Sequence, residues 1–278
     1  MRHKSKDCPG KWSSALNRAK ILLMSAGVVF ALPVLALAAG NSSGSGDASV
    51  VIKDLQSPDA TTAMKAAQAL REKPSLAKEM VAALSGALKH SNEMVRLKVI
   101  EVLSELGPEA APAVSVLGEA LGDKDPMIRE SAAMALYIVG DPGASQVPQL
   151  AKRLGDDNSR VRDAVILTLV RYGHASVPVL IGALSNANPR VSDSAAEALG
   201  RMGKPVVIQL IEVLQKGRPG ATKAAVKALA AIGKPAVDPL IELLNKSTGE
   251  TERLAAEALT RIGAPAVPGL LKALRNKG

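Results

Sequence analysis

Aromatic side chains are nearly absent from this 278-residue chain, which has one Trp, one Phe and two Tyr. Trp12 and Phe30 fall within residues 1–40, so only Tyr137 and Tyr172 remain beyond them. That excludes the aromatic platforms on which nucleic-acid bases stack. Cys8 is the sole cysteine, which excludes an intrachain disulfide, a cysteine zinc site and an iron–sulfur cluster. His3, His90 and His174 are scattered without metal-ligand spacing, so neither a metal nor a cofactor is expected. No histidine is placed to serve a serine as base, so no catalytic residue is assigned. Strand-like alternation is missing as well. What is present, 47% hydrophobic and 22% charged residues, is enough to bury a core and is unlike a disordered composition.

The amino terminus reads as a targeting segment. Arg2, Lys4, Lys6, Lys11, Arg18 and Lys20 precede an uncharged run, ILLMSAGVVFALPVLALAA, over residues 21–39. Pro33 can break the apolar helix before Ala36-Leu37-Ala38, whose small residues at Ala36 and Ala38 suit cleavage after Ala38. Residues 1–38 are therefore expected to be a signal peptide, and 39–46, rich in Gly and Ser, a flexible linker. The alternative is an uncleaved anchor, since such a run approaches the ~20 residues that span a bilayer. Either way the remainder is expected outside the cytoplasm, periplasmic or extracellular, with membrane contact only through an uncleaved segment. The leader also carries more than half of the chain's formal +9 charge. A nucleic-acid partner, which needs a concentrated basic face, is not expected.

Beyond residue 46 the sequence repeats. An apolar residue recurs at Val51, Leu84, Leu117, Leu150, Leu180, Leu210, Leu240 and Leu270, first every 33 residues and then every 30. Leu55, Leu88, Leu121, Leu154, Leu184, Leu214, Leu244 and Leu274 follow each by four, the spacing of one helix face. This defines a short helix A. Further on in the units come Pro74 and then Gly107, Gly140, Gly173, Gly203, Gly233 and Gly263, so the extra residues of the early units fall between glycine and the next helix A.

A second helix, B, occupies the interval between leucine and glycine. Asp59, Asn92, Asp125, Asn158, Asn188, Arg218 and Thr248 stand where it begins, all but Arg218 able to accept from free helix-start amides. Pro126, Pro189 and Pro219 follow at the first helical position. The body of B is alanine-rich, and its glycine is expected to stop it in a left-handed conformation. Pro205, Pro235 and Pro265 are expected to set the first turn of the next helix A. One such pair cannot bury its apolar face alone, so neighbours must stack over residues 47–278 as about seven helix pairs and an eighth helix A.

The run from Arg253 to Val267, RLAAEALTRIGAPAV, resembles the short HEAT-like repeats of the phycobilin-lyase type. The resemblance implies an all-α fold, a right-handed α-solenoid of stacked antiparallel helix pairs with helices B on its concave side. It also implies an Arg–Asp ladder between repeats. The arginine position reads Arg96, Arg129 and Arg162, then Ser192, Thr222 and Glu252, so the ladder is expected to be incomplete. Phycobilin-lyase activity is an alternative suggested by the resemblance alone. The His-Glu pairs of iron-binding HEAT-repeat hydroxylases do not occur, since Ser91 follows His90 and Ala175 follows His174.

On helices B, positions four residues apart form a stripe that becomes strongly charged: Asp163 and Arg171; Asp193, Glu197 and Arg201; Lys223 and Lys227; Arg253, Glu257 and Arg261. These are the candidate contacts for a protein partner, and the function expected is a non-catalytic scaffold or adaptor. A membrane-tethered structural element is the alternative. An ordinary solvated helix face explains any one of these residues equally well. Tyr137 and Tyr172 are expected to fill the groove between repeats, and His90 and His174 to be turn residues. The eighth helix A, with Lys272 and Arg275, is expected to be a solvent-facing cap.

Overall fold

The computed structural model describes residues 48–275, and the leader and linker lie outside them. Sixteen helices follow one another, and among the described residues there is no strand. The A helices are α1 (Ala48–Leu55), α4 (Val81–Ala87), α6 (Val114–Ala120), α8 (Val147–Ala151), α10 (Val177–Ala183), α12 (Val207–Lys216), α14 (Val237–Lys246) and α16 (Val267–Arg275). A short extra helix, α3 (Pro74–Glu79), precedes α4. The B helices are α2 (Ala60–Arg71), α5 (Glu93–Leu106), α7 (Pro126–Val139), α9 (Ser159–Arg171), α11 (Pro189–Met202), α13 (Pro219–Ile232) and α15 (Glu250–Ile262). Each B packs on its own A and on the B before and after it, so the apolar faces merge into one continuous core. None of these helices is long and apolar enough to cross a membrane.

The repeated leucines hold that core. From Leu84 through Leu214 every member of the pairs is at most 5% exposed. The A helices are so short that Leu88, Leu121 and Leu184 act as their C-caps. The extra residues of the early units form α3 and the long 3-10 turns Gly107–Ala113 and Asp141–Gln146, whereas later units use only Lys204–Val206, Lys234–Ala236 and Ala264–Ala266. Pro205, Pro235 and Pro265 therefore sit in 3-10 turns, and helix A begins after them rather than at them.

Gly107, Gly140, Gly203, Gly233 and Gly263, which end their B helices, have positive φ, but not the left-handed helical conformation expected of them. Gly203, for example, has φ 76° and ψ −141°. This extended mirror-image region is open to glycine alone, and it turns the chain out of B and into the 3-10 turn.

Helix starts are capped twice. Asp59, Asn92, Asp125, Asn158 and Asn188 accept from amides in the first turn of their helices, as their residue types require. Two residues earlier, Ser57, His90, Asp123, Asp156 and Asn186 accept the amide of the cap residue itself. His90 is thus a turn residue, and its Nε2 lies 2.9 Å from the Ser57 carbonyl. The last two B helices differ: Arg218 makes no side-chain cap, and α15 begins from Gly249, φ 68°, instead of from Thr248. Glycine's freedom at positive φ sets that boundary one residue later.

Candidate protein-binding face

Two rungs of an Arg–Asp ladder fix the register of the early repeats. Arg96 holds Asp123 through two hydrogen bonds of 2.7 and 2.9 Å, and Arg129 holds Asp156 through two of 2.8 Å. Each arginine also donates to two carbonyls of the loop before its own helix. Arg162 keeps those carbonyl bonds, to Asp156 and Asp157, but Asn186 stands where the next aspartate would be, and the ladder stops. The Asp156 side chain is 2% exposed. Burial alone would raise its pKa, but hydrogen bonds from Arg129 and the Asn158 amide outweigh burial and hold it below the ordinary aspartate range.

Helices α7 and α9 are joined by polar contacts where the ladder is ending. The Tyr172 hydroxyl donates to the Leu136 carbonyl at 2.6 Å, and Thr168 Oγ1 lies 2.9 Å from the Ala133 carbonyl. Tyr172 is buried, filling the inter-repeat groove as expected, and burial pushes its pKa up. Tyr137 is half-buried, with the Arg171 guanidinium 4.8 Å above its ring.

The charged stripe lies on the surface of α9, α11, α13 and α15. Asp163, Arg171, Asp193, Glu197, Arg201, Lys223, Arg253 and Arg261 are exposed, and Lys227 and Glu257 are partly so. Most of these charges are already paired within the protein. Lys227 reaches across from α13 to Asp193 on α11 at 2.5 Å. Glu197 takes Arg201 at 2.6 Å, while Glu257 lies between Arg253 at 3.3 Å and Arg261 at 2.8 Å. Arg253 also holds Glu250 at 2.7 Å. The side chains of Asp163 and Lys223 have no ion pair or hydrogen bond among the described residues.

Sequence reasoning missed the upstream continuation of this surface. Arg71 on α2 spans to Glu105 and Glu101 on α5, at 2.6 and 3.8 Å, and Lys98 also holds Glu101. Glu101 and Glu105 occupy the repeat positions of Met134 and Ile138, so a register count alone would have found them. Between the two charged stretches lies Glu130 on α7. Burial raises its pKa, Arg160 opposes the shift and the charge of Asp163 adds to it.

Stacked A/B pairs with exposed, chemically varied side chains on successive B helices define an α-solenoid scaffold. Residues 147–218 and 207–278 match the family model for HEAT repeats, and an alternation of A and B helices also runs upstream of them. Over residues 147–278 the chain thus carries HEAT repeats. Among solved structures it resembles an engineered protein at 22% identity, covering 80% of this chain and 98% of that one, with a TM-score of 0.44. It is also similar to a chain of the complex of CpcE and CpcF of phycocyanin lyase from Nostoc sp. PCC7120, at 23% identity, 88% and 99% coverage and a TM-score of 0.41. A third likeness is to a chain from the structure of microtubule plus-end tracking by XMAP215, CLIP-170 and EB1, at 18% identity, 63% and 88% coverage and a TM-score of 0.46. The sequence matches none of the curated proteins with which it was compared. These likenesses concern stacked helices and carry nothing about activity.

Proposed function

We propose that this protein is an exported, non-catalytic scaffold or adaptor that binds a protein partner through the exposed face of helices B, the concave side in the right-handed geometry implied by the family. The observation that carries the reading is the row of exposed charged side chains on α9, α11, α13 and α15. They stand on a core held by buried leucines, so they present fixed positions to a ligand. Unpaired Asp163 and Lys223 are the charges a partner can engage without breaking an internal pair. Export rests on the basic and apolar composition of residues 1–39 and the Ala36-Leu37-Ala38 site.

The Lys227–Asp193 pair shapes the test. Asp193→Lys combined with Lys227→Asp keeps an ion pair between α11 and α13 while inverting what a partner meets. Adding Asp163→Lys and Lys223→Glu completes the inversion. In affinity capture from native envelope extract, the proposal expects a protein retained by the unaltered chain and lost by this variant at unchanged melting temperature. An identical catch from both would overturn the assignment of the face. Export is checked separately by the amino terminus of the protein recovered from cells, expected at Ala39.

A further inference from the structure

Helix α7 interrupts the charges of the B face. The position filled by Glu101, Glu197 and Glu257 on α5, α11 and α15 holds Met134 here and Leu167 on the adjoining α9. Ile138 stands where α9, α11 and α15 have Arg171, Arg201 and Arg261. Met127, the second residue of α7, is 49% exposed, and Met94 in the same place on α5 is 45% exposed. Met127, Glu130, Met134 and Ile138 are three and then four residues apart, so they share one helix face. Met134, Ile138 and Leu167 are only partly buried. The stack does not require apolar side chains at these positions, since its other repeats hold together with charges there.

Glu130 lies among these side chains at a cost to the fold. It has no side-chain ion pair or hydrogen bond among the described residues. Of the described carboxylates whose pKa departs from the ordinary range, Asp59, Asp156, Glu242 and Glu250 are lowered and Glu130 alone is raised. Burial is the main cause, the unpaired Asp163 of α9 adds to it, and Arg160 opposes it without making an ion pair among the described residues. Arg171 is held over the Tyr137 ring. Two carboxylates of this patch thus go without a paired cation. We propose that the surface of α7 and α9 around Met127, Glu130, Met134 and Asp163 seats a segment of a partner protein that sets a large apolar side chain beside a lysine or arginine. The apolar group lies on the methionines, whose flexible, polarizable side chains adapt to what is laid on them. The basic group meets Glu130 and Asp163, which would repel an anionic surface. The proposal rests on the reading of the B face as protein-binding and names the chemistry of what binds there.

The test selects a library of random peptides against the full chain and measures those recovered by fluorescence anisotropy. Two double variants of the protein report on the seat. Glu130→Gln with Asp163→Asn removes the charges and keeps the shape, while Met127→Gln with Met134→Gln removes the apolar surface and keeps side-chain length and helix propensity. The proposal expects peptides that combine large apolar residues with lysine or arginine, bound about tenfold or more weakly by each double variant and undiminished by Ile208→Ser on α12. Melting of every variant is measured alongside, and either pair alone suffices if the other unfolds. Recovered peptides without basic residues, or binding unchanged by both pairs, would overturn the proposal. So would a dimer of the parent chain in sedimentation that the methionine pair disperses, which would give the seat to a second copy. Binding lost on Lys223→Glu but kept by both pairs would overturn this seat and leave the B face as the binding surface. If no peptide is recovered, the seat is refuted, and the capture from envelope extract still decides the wider reading.

Discussion

At the scale of single residues, Arg129 and Arg162 occupy equivalent positions but stand in different circumstances. Arg129→Met leaves the buried Asp156 carboxylate with only Arg153, 3.9 Å away, as its cation, which costs at most about 3–5 kcal/mol. Arg162→Met strands no carboxylate and should cost clearly less, because its bonds run only to carbonyls of its own loop. Urea unfolding of the two variants checks this, and equal losses would contradict the ladder's asymmetry. The pH dependence follows from the same geometry. The pKa of Asp156 is lowered in the folded state, so its contribution is present above the unfolded value and is lost as pH falls through the folded one. Asp156→Asn should lower stability at neutral pH and flatten the acid limb. Glu130 has the opposite sign. Its raised pKa means that ionisation opposes folding, so Glu130→Gln should leave neutral-pH stability equal or higher. The residue types of the rungs were legible in the sequence. Which carboxylate each arginine takes was not, because that depends on how far one loop lies from the next.

At the scale of elements, the helix starts test how far local chemistry sets the repeat. Asn188 accepts the Arg190 amide, and Asn188→Ala should cost about 1 kcal/mol. Arg218 makes no such bond, so Arg218→Asp should stabilise α13 by a similar amount. A loss on Arg218→Asp would show that the arginine serves some other contact. Close approach offers a second test. A Cβ on Gly143 would meet the Tyr172 hydroxyl at 2.1 Å, so Gly143→Ala should destabilise by about 1–3 kcal/mol. Tyr172→Phe removes the atom responsible and should recover part of that loss in the double variant. Helix identity, order and punctuation could be read from the leucine, cap and glycine spacings. The second layer of caps at Asp123, Asp156 and Asn186 could have been read too, since each stands two residues before a cap already recognised. The shift from Thr248 to Gly249 could not, because both residue types suit a helix start.

At the scale of the whole molecule, the repeat places a chemically varied face on successive B helices while the leucines hold the core beneath it. The sequence identified the stripe, but not its internal pairing. Lys227 and Asp193 are 34 residues apart, and only the stacking of α13 on α11 brings them to 2.5 Å. Nor could the sequence separate the neutralised charges from Asp163 and Lys223, whose freedom is a matter of their neighbours' positions. The most direct test of the binding face is site-specific photocrosslinking in native extract. A photoreactive residue is placed at position 163 or 223 on helices B, or at Ile208, which is 60% exposed on helix α12. The account predicts one and the same protein adduct from positions 163 and 223 and none from 208. An adduct from 208 alone, or no adduct from either B position, would contradict it.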